Sequence, residues 1–169
     1  SGLGDLEVMA AFAPTEIGNR VWNDLDADGC QDPGEPGTVG VTVTLAISGG
    51  STYVATTDAS GRYGFSSRPS GSGSGVTYNV PLTGGSTFTV STPLTVSGGG
   101  HTWKPTTRNS CGGTVLDPPD AESKVSNADR IDSDVDPNTG TSSAFTVRAG
   151  GENQHSFDIG YVVPPVNLG

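Results

Sequence analysis

Ile17-Gly-Asn-Arg-Val-Trp-Asn-Asp-Leu-Asp-Ala-Asp-Gly-Cys-Gln-Asp-Pro-Gly-Glu35 is the stretch on which the reading of this chain turns. Its opening, Ile17 to Trp22, has the composition of a short strand. The remainder satisfies D-x-D-x-D-G-x5-E at every required place, with Asp24, Asp26, Asp28, Asp32 and Glu35 at loop positions 1, 3, 5, 9 and 12. The Cys30 carbonyl falls at position 7, and Gly29 permits the sharp turn at position 6. Five carboxylates without a single Lys or Arg among them repel one another unless a cation lies between them. Hard oxygen ligands at this density suit Ca2+. The flanks do not read as helices, because a strand precedes the loop and Pro33 and Pro36 obstruct any helix leaving it. Gln31 also replaces the usual apolar residue at position 8. The expectation is an isolated calcium loop between β-strands, with a structural role and not that of a paired helical sensor; the competing reading is a solvated acidic turn.

Outward from the loop, Val41 to Ile47, Tyr53 to Thr57 and Arg62 to Ser66 alternate in the period-2 manner of half-buried strands. Asp58-Ala-Ser-Gly61 has the residues of a type I turn with a glycine bulge, which predicts a hairpin between the second and third of these runs. Ser66 to Gly75 interleaves Ser and Gly as a flexible loop and lacks the Gly-Lys-Ser/Thr ending of a phosphate cradle. Further strands are predicted at Thr77 to Leu82, Thr87 to Ser91, Thr102 to Thr106, Ser143 to Val147 and Ser156 to Val162. About nine or ten strands at this spacing predict an all-β protein, an immunoglobulin-like or transthyretin-like β-sandwich with long calcium-binding loops. Trp22, Tyr63, Phe65, Phe145 and Phe157 are the expected aromatic core.

Composition agrees with one such domain. The chain has 169 residues, enough for a single well-buried core, and its 26 Gly and 12 Pro supply turns and little material for amphipathic helices. The net charge of −10 opposes a nucleic-acid partner. The acids are clustered, five between Asp24 and Glu35 and seven between Asp117 and Asp136, where a merely solvated surface would scatter them. In the second cluster Asp129, Asp132, Asp134 and Asp136 match no complete loop, but alternation from Asp132 to Asp136 could place three carboxylates on one side of an extended segment. A second calcium is expected there, against the alternative of an acidic surface loop partly balanced by Arg130. No apolar run reaches the ~18 residues that span a bilayer, so membrane insertion is not expected, and no basic-then-apolar leader opens the sequence.

At this point the residues resemble a known family. Ile17-Gly-Asn-Arg-Val-Trp-Asn-Asp24, Gln31-Asp-Pro-Gly-Glu-Pro-Gly37, Gly40-Val-Thr-Val-Thr-Leu45 and Thr57-Asp-Ala-Ser-Gly-Arg-Tyr-Gly-Phe65 are similar to the B domains of serine-aspartate repeat adhesins. Asp132-Ser-Asp-Val-Asp136 and Asp158-Ile-Gly-Tyr161 resemble that domain's closing acidic loop and final strand. The resemblance implies a calcium-stabilised β-sandwich over residues 17–162, serving as a stalk or spacer at a cell surface, with binding roles for both acidic stretches. The chain departs from the family pattern over 66–126, a Gly/Ser/Thr-rich insertion. Arg20 stands on the early strand where related domains carry a reactive lysine for an isopeptide bond, and arginine stays protonated and cannot serve as the nucleophile. Calcium and a disulfide are therefore the expected stabilisers, the latter between Cys30 and Cys111, since two cysteines in an exported protein have every opportunity to oxidise.

An enzyme is not expected. His101 and His155 have no recognisable partner motif, and two histidines with two cysteines show no zinc-ligand spacing. The runner-up is a module that binds glycan or a host protein, with Trp103, His101 and Lys104 as a stacking platform, although Trp103 reads better as a core residue. Finally, Leu6 to Pro14 echoes Phe157 to Pro165 at a constant offset of 151. Residues 1–16 then imitate the last strand and linker of a preceding repeat, and 163–169 lead into the next. An extra strand invites pairing, so Leu6, Val8 and Phe12 are expected to pack on a neighbouring copy or tandem repeat, head to tail, in an extracellular or cell-surface setting.

Overall fold

The computed structural model describes residues 13–108, 110–111, 131–148 and 151–164. Leu6, Val8, Phe12 and Asp129 lie outside them. The strands are β1 (Glu16–Asn23), β2 (Thr42–Ile47), β3 (Thr52–Thr56), β4 (Arg62–Ser66), β5 (Val76–Thr77) and β6 (Thr87–Ser91), then β7 (Val96–Gly98), β8 (His101–Pro105), β9 (Phe145–Thr146), β10 (Asn153–Gln154) and β11 (Ile159–Val162). They form two sheets, one ordered β5-β4-β1-β11-β8-β7 with β10 also on β1, the other β3-β2-β6-β9. Among the described residues there is no helix, and the fold is the expected β-sandwich.

β1 is the hub of the larger sheet. It runs antiparallel to β4 from Glu16 opposite Ser66 to Arg20 opposite Arg62, and on its other side it lies parallel first to β10 and then to β11. Ile17 and Val21 on β1 and Tyr63 and Phe65 on β4 meet Val43, Leu45, Phe88 and Val90 of the smaller sheet in one buried cluster. Phe145 bridges the aromatic centre, 5.8 Å from Phe88 and 4.2 Å from Phe157 between ring centroids. Each fully buried side chain of this kind contributes about 1.5–3 kcal/mol. All five expected core aromatics are buried, joined by Phe88 and Tyr161.

Several expectations are corrected. The Asp58 turn forms as read, Asp58 Oδ1 accepting from Ser60 N at 2.8 Å and Arg62 N at 2.9 Å, but it joins the two sheets and closes no hairpin. β3 is paired with β2 and β4 with β1 and β5, because both flanking runs carry a core-facing side that only opposed sheets can bury together. The expected strand at 77–82 ends after Thr77, since Asn79 takes a left-handed φ of 59° and its amide turns to Arg68 O. The last strand begins at Ile159 and not at Ser156. Ahead of it the backbone is engaged by side chains, with Phe157 O accepting from Tyr63 Oη at 2.7 Å and Asp158 N donating to Asp134 Oδ2 at 2.6 Å. The run expected at 143–147 is reduced to Phe145–Thr146.

The stretch from 66 onward supplies β5 to β8 and the buried Val80, Leu82, Phe88 and Val90. β7 was not anticipated. It pairs with β8 across Gly99-Gly100, both at positive φ as a two-residue hairpin turn of the primed type requires.

Tyr161 ties β11 to the end of β6: its hydroxyl donates to Pro93 O and lies 2.8 Å from Thr92 Oγ1. Burial pushes its phenol up to about 12, the Thr92 contact opposing slightly. The folded state thus keeps a proton that the unfolded chain releases near pH 10, so this contribution is complete below pH 10 and is lost as pH rises towards 12. Tyr161→Phe is expected to cost about 1–2 kcal/mol at pH 8 and to flatten the fall in stability between pH 9 and 11. Urea melts of both proteins across that range check this, and parallel pH slopes would refute it.

Candidate metal centre

The acidic loop leaves the end of β1 and returns to it. Asn23 N donates to Pro36 O at 2.9 Å, Asp24 N to Tyr161 O at 2.8 Å, and Arg20 Nη2 to Glu35 O at 3.1 Å. Inside this closed excursion the backbone amides aim at the carboxylates. Asp24 Oδ1 accepts from Ala27 N at 2.7 Å and Oδ2 from Gly29 N at 2.9 Å, while Asp28 Oδ1 accepts from Cys30 N at 2.7 Å. Glu35 laces the two ends, its Oε1 taking Leu25 N at 2.7 Å and its Oε2 taking Asp32 N at 3.0 Å.

One oxygen from each of Asp24, Asp26 and Asp28 lies within 4.8 Å of the others. Two oxygens bound to one calcium can stand at most about 5 Å apart, so the donor type and the spacing both fit that ion. Asp24 is buried, Asp26 and Asp28 open to solvent, Glu35 is buried, and Asp32 is exposed at the rim. Of the expected set, then, the structure gathers the acids of positions 1, 3 and 5, and holds that of position 12 by hydrogen bonds within the loop.

A second segment, of which the sequence pointed only to Cys111, roofs this loop. Thr106 Oγ1 donates to Asp24 Oδ2, and Ser110 Oγ donates to Asp28 O at 2.6 Å. Cys111 is disulfide-bonded to Cys30, as expected, with Cα atoms 5.4 Å apart. From the other side Gln31 N donates to Ile131 O, and Cys30 forms a bridge to Asp132.

The second acidic stretch behaves differently from the expected row of three. Asp132 and Asp134 are buried, whereas Asp136 closes a turn, its Oδ1 accepting from Asn138 N at 2.7 Å and Thr139 N at 3.3 Å. The carboxylate brought to this place is instead Asp158. It is wholly buried, its Oδ2 accepts from Asn19 Nδ2 at 2.8 Å, and its Oδ1 accepts no hydrogen bond. Burial raises the Asp158 carboxyl well above its usual range, with the Asn19 hydrogen bond opposing and the Asp132 charge adding to the rise. The Tyr63 phenol is raised for the same reasons, burial first and then Asp158 and Asp134.

Elsewhere, His155 Nε2 lies 3.4 Å from Glu16 Oε2. His101 and Trp103 share a face of β8, their rings 6.3 Å apart edge to face, while Lys104 takes the alternate face. Trp103 is half-buried against the core, and its Nε1 lies 3.4 Å from Gly98 O.

The fold and the loop together define a β-sandwich module with an acidic loop at the end of its first strand. The chain belongs to the SdrD B-like domain family, which matches residues 15–103. It is 43% identical over 67 residues to Colossin-B of Dictyostelium discoideum and 44% identical over 63 residues to serine-aspartate repeat-containing protein F of Staphylococcus epidermidis. It is also 46% identical over 56 residues to a bone sialoprotein-binding protein of Staphylococcus aureus (strain MRSA252). These matches take in 38%, 36% and 32% of the chain but only 2%, 4% and 5% of the respective relatives.

Gly29 has no room for a side chain. Its φ is +81°, and a Cβ would stand 2.0 Å from Ser110 Oγ and 2.6 Å from Thr107 O. Gly29→Ala is expected to destabilise the chain by about 2–4 kcal/mol, combining backbone strain with overpacking. Because the Thr107 clash is with backbone, adding Ser110→Ala should recover only part of the loss. Thermal melts of the single and double variants decide this, and full recovery would contradict the account.

Proposed function

We infer that this chain is a calcium-stabilised structural module, a stalk, spacer or filament subunit of an adhesin-like protein outside the cell, and not an enzyme. The observation that carries the inference is the close approach of Asp24, Asp26 and Asp28 inside a loop already closed onto β1. Repulsion among these groups opposes the fold unless a cation offsets it, and Glu35, Asp32 and the Cys30 carbonyl stand at the remaining positions of the loop pattern. A second calcium is proposed at Asp132 and Asp134. Asp136 is engaged in its turn, and Asp129 is outside the described residues. Family membership supports the surface-module part of this reading. The proposed partners are other copies or tandem repeats, joined head to tail through Leu6, Val8 and Phe12, with a glycan or host protein as the alternative.

At 100 times its dissociation constant, calcium adds ~2.7 kcal/mol of stability per site. Melting in millimolar calcium is therefore expected well above melting in chelator, with Asp24→Asn removing the gain from the first loop and Asp134→Asn removing a separate increment. Superimposable melts would remove the structural-metal reading.

Deleting residues 1–13 is expected to leave a folded, calcium-responsive monomer that no longer associates end to end. Sedimentation and electron microscopy of both forms check this. A truncated chain that fails to fold would place the segment in its own core instead.

A further inference from the structure

We propose that Thr106, Thr107, Ser110 and Cys111 form a clasp that holds the acidic loop in its ion-ready form, so that the Cys30–Cys111 disulfide and calcium binding at Asp24, Asp26 and Asp28 are thermodynamically coupled. The proposal rests on the calcium reading above and adds a residue set and a control that the loop motif does not contain.

The clasp touches the loop at four places. Thr106 Oγ1 reaches the carboxylate of Asp24, Thr107 O and Ser110 Oγ cover Gly29, Ser110 Oγ takes the Asp28 carbonyl at 2.6 Å, and Cys111 is bonded to Cys30. These contacts fall on loop positions 1, 5, 6 and 7, which include two of the three converging carboxylate residues and the residue whose carbonyl completes the pattern. The cysteines are 81 residues apart in sequence; Thr106 is held beside the loop by its amide, which donates to Gly160 O at 2.9 Å, while Ser110 and Cys111 beyond it are fastened to the loop covalently only through the disulfide. Cys30 belongs to the loop itself, and its amide is the donor that fixes Asp28 Oδ1. Opening the disulfide frees the Ser110 end of the clasp from Asp28 and leaves Thr106 alone on Asp24, and charge repulsion then works to separate the three carboxylates. Calcium must reassemble them, and its apparent dissociation constant rises by the inverse of the fraction still assembled.

Coupling of this kind is reciprocal. Reduction by a dithiol transfers two electrons and two protons to the protein disulfide, giving two thiols and the cyclic disulfide of the reductant. If reduction weakens calcium binding by a given factor, saturating calcium must disfavour reduction by the same factor. A factor of about tenfold is expected, within the usual range for coupled sites.

Calorimetric titration of calcium into the full chain, oxidised and then fully reduced by dithiothreitol under argon, tests the proposal, with circular dichroism following the fold. The expected result is binding by the oxidised chain, about tenfold weaker binding after reduction, and weaker binding by Ser110→Ala and Thr106→Val with the disulfide intact. Equal affinity in the two redox states overturns the clasp while leaving the calcium reading in place. Absence of binding by the oxidised chain overturns both. Should the reduced chain unfold, the reverse measurement remains. The ratio of disulfide to dithiol in a dithiothreitol redox buffer is read with and without saturating calcium, using oxidised wild type and Ser110→Ala. A calcium-induced shift that shrinks in Ser110→Ala supports the clasp, and an identical shift in both overturns it.

Discussion

Three carboxylates held within 4.8 Å of one another at the end of the sandwich's central strand are the constraint on which the rest depends. Left alone they would push the end of β1 open, yet Asp24 is buried and its amide is bonded to Tyr161 O on β11. The fold meets this in two ways. Backbone amides of Ala27, Gly29 and Cys30 are turned onto the acids, and Arg20, reaching back from β1, ties down the Glu35 carbonyl. Such hydrogen bonds satisfy oxygens of Asp24 and Asp28 but leave the mutual repulsion of the carboxylates in place, which is the constraint a cation would offset.

The same constraint explains why the loop is so heavily fastened to remote parts of the chain. Thr106 follows β8, Ser110 and Cys111 lie just beyond it, Ile131 and Asp132 stand at the start of the closing acidic stretch, and all bear on residues 24–31. A single loop thereby gathers the first strand, the end of the eighth and the approach to the ninth. A joint fixed from three directions resists opening better than a loop anchored only at its own ends.

The loop and the strands that flank it were legible because their signals are local. Asp24 to Glu35 is a complete motif, and β6 at Thr87–Ser91 follows directly from its alternation. What stayed hidden depends on distant partners. Nothing in Thr106 or Ser110 by itself marks it as a hydrogen-bond donor to a carboxylate or carbonyl some eighty positions away. Asp158 read as part of a terminal strand, and only the packing of β11 beside β1 sets it next to Asn19 and Asp134. The sheet-to-sheet crossing at Asp58 was misread as a hairpin because the turn residues are the same in both, and only the pairing of β2 with β3 distinguishes them. Gly99-Gly100 was the one overlooked local signal: two adjacent glycines before a strand specify the primed turn that creates β7.

Terbium luminescence tests the central claim most directly, because terbium is a hard cation of calcium-like size and Trp22 stands two residues before Asp24. The account predicts emission sensitised by tryptophan excitation, displaced by added calcium, lost in Asp24→Asn and Asp28→Asn, and largely kept in Asp134→Asn. Emission that is absent from the wild-type chain, or that survives unchanged in Asp24→Asn, would contradict it.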